Sequence, residues 1–122
     1  MPRSSVRTSL RAFCVLASAL ALGGLAAGPG AAASRSAAEV TVFMMNDQFV
    51  PKQVQIHPGD SVTWVNEDNV DHTTTSDAQS AQQWDVLVHP GQRTPPILFP
   101  NAGSFPYHCN FHPLMTGTVI VQ

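Results

Sequence analysis

Near the C-terminus the run YHCNFHPLM, Tyr107 to Met115, places a thiol, an imidazole and a thioether close together. Cys109, His112 and Met115 stand at a C-x2-H-x2-M spacing, three donors of graded softness on one short loop. Such a set suits copper. Sulfur favours Cu(I), imidazole accepts either oxidation state, and a long axial thioether leaves the geometry between their preferences. One further imidazole is wanted, and His72 is the candidate because it follows the strand SVTWVN and its turn. In a sandwich that loop reaches the same end as the Cys109 loop. A metal held from two loops of a rigid β scaffold would keep its geometry through a change of oxidation state, which suits electron transfer. Zinc takes the same nitrogen and thiolate donors, although Met is an unusual zinc ligand.

The elements that must position these donors are short β-branched and aromatic runs separated by Pro, Gly, Asn and Asp, with no helical period over ten or more residues. Candidate strands are EVTVFMM, KQVQIH, DSVTWVN, DHTTTS, a run near QQWDVLV, TPPILF, SFPYHC and GTVIVQ. Seven to eight such strands with regular turn signals read as an all-β sandwich or barrel with Greek-key connections. Strand alternation puts Val62 and Trp64 on one face of DSVTWVN, with Trp64 a core anchor. Across SFPYHC it puts Phe105, Tyr107 and Cys109 on the inward face, with Ser104, Pro106 and His108 opposite. Met44 and Met45 are adjacent on a strand, so one belongs to the core and the other to the surface. His57 and His89 each precede Pro-Gly and read as loop residues; His108 reads as a surface histidine.

The chain opens with MPRSSVRTSLR, three arginines and no acid, and continues into the apolar run AFCVLASALALGGLAAG. That is the pattern of a secretory signal peptide over residues 1–33, cleaved near Ala33 or, failing that, near Ala38. The expectation is an exported protein, periplasmic or extracellular, with no membrane span in its mature form. Residues 34–39 form a small-residue lead-in, frayed, and residues 40–122 one small domain. After residue 33 three cations, Arg35, Lys52 and Arg93, stand against eight acids, a net charge of −5. Nucleic acid is thereby disfavoured as a partner. Cys14 leaves with the leader, so Cys109 is a lone thiol in an oxidising compartment and needs either protection or a use. A role as nucleophile finds no Cys-His-Asn hydrolase context here, and an inward thiol on a β scaffold is a poor attacker.

Four stretches, F-x-P at Phe49 to Pro51, HPGDSVTWVN at His57 to Asn66, His72 itself, and YHCNFHPLMTG at Tyr107 to Gly117, resemble the cupredoxins, small blue-copper proteins, across essentially the whole mature domain. The ligand-loop spacing and the Asn66 to His72 interval are more similar to amicyanins than to plastocyanins or pseudoazurins. The resemblance implies a Greek-key β-sandwich with one copper per chain, cycling between Cu(II) and Cu(I). It implies His72, Cys109 and His112 as equatorial ligands and Met115 as the axial one. It further implies a one-electron carrier between redox partner proteins, not an enzyme, and nothing demands more than a monomer. Partners are expected to dock near His112, Phe111, Pro113 and Leu114, with Glu67, Asp68 and Asp71 steering a cationic surface. Asp71 stands where amicyanin-like sequences have Pro before the histidine, and the polar clip between the ligand loops falls to Thr73 and Asn110, expected to hydrogen-bond around the Cys109 sulfur. The alternative function is a copper carrier or scavenger that delivers the ion without redox turnover.

Overall fold

A computed structural model describes residues 34–122. The expected signal peptide, residues 1–33, lies outside the described residues. Among the described residues there are nine strands and no helix. They are β1 (Glu39–Met45), β2 (Gln48–Val50), β3 (Gln53–Ile56), β4 (Asp60–Asn66), β5 (His72–Ser76), β6 (Asp85–Val88), β7 (Ile97–Phe99), β8 (Gly103–His108) and β9 (Thr116–Val121). Two sheets form, ordered β2-β1-β4-β7 and β3-β9-β8-β5-β6, and they pack as an all-β sandwich. Eight strands match the sequence expectation. The ninth, β2, is three residues long and is created by its turn: Asn46 and Asp47 both adopt positive φ, 53° and 56°, the backbone of a two-residue type I′ hairpin. Two pairings run parallel, β1 with β4 and β3 with β9.

Alternation decides the core. On β4, Val62 and Trp64 are fully buried, and on β1 Val42 and Met44 join them while Met45 faces out. From the other sheet come Phe105, Tyr107 and Cys109, all within 2 % exposure, with Val119 and Val121. Trp64 meets Tyr107 edge-on at 5.3 Å between ring centres, and Phe49 of β2 meets Tyr107 at 4.6 Å. Losing a ring from such a cluster costs about 3–5 kcal/mol. Gly117 on β9 makes room for this seam, since a Cβ there would lie 2.5 Å from the Tyr107 ring and hydroxyl. Burial pushes the Tyr107 phenol pKa upward, and side-chain contact with Trp64 opposes it only weakly.

Thr63 points away from the core yet is fully buried, because its hydroxyl donates to Glu39 at 2.6 Å and Arg93 covers the same carboxylate at 2.8 Å. The strand begins at Glu39, one residue before the expected domain boundary. The lead-in is tied down: the Arg35 guanidinium lies 2.6 Å from Asp60, and the Ala38 N–H donates to the same carboxylate at 2.8 Å.

Candidate metal centre

The site is assembled at one end of the sandwich from three connections. The first follows β4. Asn66 is fully buried there, its amide donating to the carbonyls of Val70 at 2.7 Å and Val88 at 2.9 Å while its oxygen accepts the Asp68 N–H at 2.9 Å. One side chain thus shapes the whole loop and delivers His72 to the start of β5. The second is the loop after β8. Cys109 N–H donates to the Met115 carbonyl and Met115 N–H to the His112 carbonyl, both at 2.9 Å, closing the segment on itself. The third is the β1–β2 turn, whose part in the site the sequence reading missed.

Three of the four expected donors face one another. His72 Nδ1 lies 3.2 Å from His112 Nδ1, and Cys109 Sγ lies 3.7 Å from the former and 3.6 Å from the latter. Donors about 2.0–2.3 Å from a common centre, the usual lengths for imidazole nitrogen and thiolate on a divalent metal, produce a triangle of this size. His72 is fully buried and Cys109 is 1 % exposed, so the thiol is shielded from solvent oxidants. Met115 is buried at the far end of the same loop, tied through its backbone to both Cys109 and His112. The triangle and its two soft sulfur-bearing residues fit copper by donor chemistry.

Around the sulfur the expected clip exists with a different division of labour. The main-chain N–H of Thr73 donates to Cys109 Sγ at 3.3 Å, while the Thr73 hydroxyl accepts the Asn110 N–H at 2.8 Å and lies 2.9 Å from the Thr75 hydroxyl. Burial raises the Cys109 thiol pKa, but the Thr73 N–H, the His112 side chain and the N–H groups of Phe111 and His112 outweigh it, and the net shift is downward. The site therefore favours the thiolate, the form that binds metal.

The acidic residues also differ from expectation. Asp68 is turned inward, with His72 Nε2 at 2.7 Å and the N–H groups of Asn46 and Asp47 at 2.7 and 3.0 Å. Burial raises its pKa, and these three donors more than offset that, leaving the carboxyl below its usual range. Asp71 is bonded to His89 Nδ1 at 2.8 Å. Of the three residues expected to steer a partner, Glu67 alone is exposed without a partner of this kind among the described residues. Asp47, absent from the sequence reading, is half-exposed and lies 3.5 Å from His112 Nε2. The signal for it was the Asn-Asp pair, since both residues tolerate positive φ. His108 lies on the outer face, bonded to Asp77 and to Asn110, and His57 and His89 are exposed loop residues.

His112 remains about one-third exposed at its ring edge. Phe111, Pro113, Leu114, Met115 and Asp47 form a shallow groove with it, and Leu114 projects almost wholly into solvent.

An all-β sandwich with a His-Cys-His triangle at one end, His72 and Cys109 buried and His112 partly exposed, defines a mononuclear metal-binding β protein. The chain belongs to the cupredoxin-like family, whose model, described as a cupredoxin-like domain, matches residues 12–121. It is 28 % identical to amicyanin of Paracoccus denitrificans, with 98 % of this chain and 97 % of that protein covered. It is 33 % identical to the chloroplastic plastocyanin of Tetradesmus obliquus, covering 99 % of this chain and 92 % of that one. Among solved structures a reduced amicyanin mutant matches with a TM-score of 0.63 at 26 % identity, covering 69 % of this chain and 82 % of that chain.

Proposed function

We propose that the protein is an exported type 1 copper protein that carries one electron at a time between larger redox proteins. His72, Cys109 and His112 would hold one copper ion as equatorial ligands, with Met115 as the weak axial one. Copper bound there would supply the Cu(II)/Cu(I) couple. The observation that carries this reading is the triangle of His72 Nδ1, His112 Nδ1 and Cys109 Sγ, with sides of 3.2 to 3.7 Å and a buried thiol.

The chain's own part is to hold the donors still and to expose one edge. His72 and Cys109 are anchored by neighbouring antiparallel strands of one sheet, β5 and β8, and by the Thr73 N–H, so little needs to move between oxidation states. The His112 edge, framed by Phe111, Pro113 and Leu114, offers an apolar port for brief docking. A carrier reading is preferred to an enzymatic one because the thiol is enclosed and ligand-facing, a poor position from which to attack a substrate. Export is supported by the arginine-rich start and apolar run of residues 1–33, and no helix among the described residues is long and apolar enough to cross a membrane.

The test is the visible absorption of the mature protein loaded with Cu(II), beside Cys109→Ser. An intense blue band, absent from the serine protein and bleached by reductant, is expected. A colourless protein would shift the reading to zinc or to copper delivery. Loss of the ion to a Cu(I) chelator within a few redox cycles would favour delivery over electron carriage.

A further inference from the structure

Asp68 brings together two parts of the molecule that share no strand. Its Oδ1 accepts the Asn46 N–H at 2.7 Å, and its Oδ2 accepts the Asp47 N–H at 3.0 Å. These two residues are the positive-φ pair of the β1–β2 turn, whose N–H groups have no ladder partner of their own. The same Oδ2 lies 2.7 Å from Nε2 of His72, whose other nitrogen faces Cys109 and His112.

An ionised carboxylate only accepts, and a neutral imidazole carries a single proton. The 2.7 Å contact therefore requires that proton on Nε2, which leaves the Nδ1 lone pair free. Asp47 does not compete for it, because its carboxylate stands 3.6 Å from His72 Nε2, beyond hydrogen-bond length. Asp68 is in turn held by the Asn66 oxygen on its own N–H at 2.9 Å, so its placement is fixed from the end of β4.

We propose that Asp68 is the positioning residue of this metal centre: its carboxylate sets the His72 tautomer that presents Nδ1 to the metal, and with the same oxygens it locks the β1–β2 turn beside the site. The bound metal rests on the function proposed above; the tautomer does not. A hydrogen-bonded carboxylate behind a ligating imidazole raises the basicity of that ligand and favours the higher oxidation state. Asparagine cannot replace it. Its one acceptor oxygen serves some of the three donors, while its amide N–H groups confront another.

The experiment is long-range proton–nitrogen NMR on the 15N-labelled, metal-free full mature domain at a pH where imidazoles are neutral, on the wild type, Asp68→Asn and Glu67→Gln. The expected wild-type result is a protonated Nε2 and a pyridine-type Nδ1 on His72, preserved in Glu67→Gln. In Asp68→Asn the two nitrogen shifts should move toward each other as the tautomers mix, and the copper-loaded variant should show a higher reduction potential with its blue band retained. A wild-type His72 protonated on Nδ1 would overturn the proposal, as would an Asp68→Asn protein with unchanged nitrogen shifts. If Asp68→Asn does not fold, the wild-type nitrogen shifts still decide. Failure of the copper reading would appear separately, as a missing blue band over an intact tautomer.

Discussion

Strand β4 has an aspartate at its first residue, Asp60, and another two residues past its end, Asp68, and the two carboxylates are used in closely parallel ways. Each accepts two main-chain N–H groups and one bond from a side chain: Ala38, His57 and Arg35 for Asp60, Asn46, Asp47 and His72 for Asp68. The difference lies in the third partner. Arg35 is a permanent cation with nothing behind it, and the result is a clasp between the lead-in and the base of the sandwich. His72 is an imidazole whose far side faces a thiol, so the same arrangement at the other end reaches into chemistry. One local solution to the problem of orphaned N–H groups serves stability at one pole and ligand geometry at the other.

What the two poles share is the aromatic seam between them, and breaking it has the largest expected effect. Gly117→Ala drives a Cβ to 2.5 Å from the buried Tyr107 ring and should cost about 1–3 kcal/mol in urea unfolding, lowering metal retention as well as stability. A Gly117→Ala protein as stable as the wild type would mean that the seam relaxes freely. The next effect separates the poles. The N–H groups of Ala38 and His57, together with Arg35, outweigh burial and bring the Asp60 pKa down to about 2 from 3.8. Its folded-state pKa is depressed, so its contribution is complete above about pH 4 and drains away as pH falls toward 2. Asp60→Asn should lower the unfolding midpoint at neutral pH and flatten its fall over that window, with no change in the visible spectrum of the copper-loaded protein.

Smaller still, Thr73→Val removes the acceptor for the Asn110 N–H and should cost about 1 kcal/mol. Its blue band should stay in place, because the contact to sulfur is made by the Thr73 main chain. A displaced band would return the sulfur contact to the hydroxyl, as the sequence suggested. The smallest effect belongs to Asp47→Asn. Asparagine keeps the positive φ of the turn, and the site is half-exposed, so stability should stay within about 0.5 kcal/mol in thermal unfolding. A larger loss would show that the carboxylate, and not only the turn, braces His112.

Much of this was legible in the chain. The inward faces of DSVTWVN and SFPYHC follow from period two, and the C-x2-H-x2-M loop announces its donors by type and spacing. That His72, Cys109 and His112 come together could be expected from sequence because their intervals resemble the cupredoxin pattern. Strand β2 could not, since QFV is too short for alternation to register, and its existence depends on a turn without glycine. Asp68 was read as a surface charge for the same kind of reason. Two of its three donors come from the β1–β2 turn, more than twenty residues away, and no local pattern distinguishes a carboxylate turned inward from one left in water. Asp71 differs only in finding His89 eighteen residues away, which the strand count alone does not reveal.

The parallel pairing of β3 with β9 sets Gln53 beside Thr118, so the larger sheet closes only when the final strand arrives. Pairings that distant incur loop-closure entropy before any contact compensates for it, which places folding in the range of roughly milliseconds to seconds. The loop bearing Cys109, His112 and Met115 is strung between the last two strands, β8 and β9. The donor triangle therefore depends on the same pairing of β8 with β9 that joins the two ends of the larger sheet.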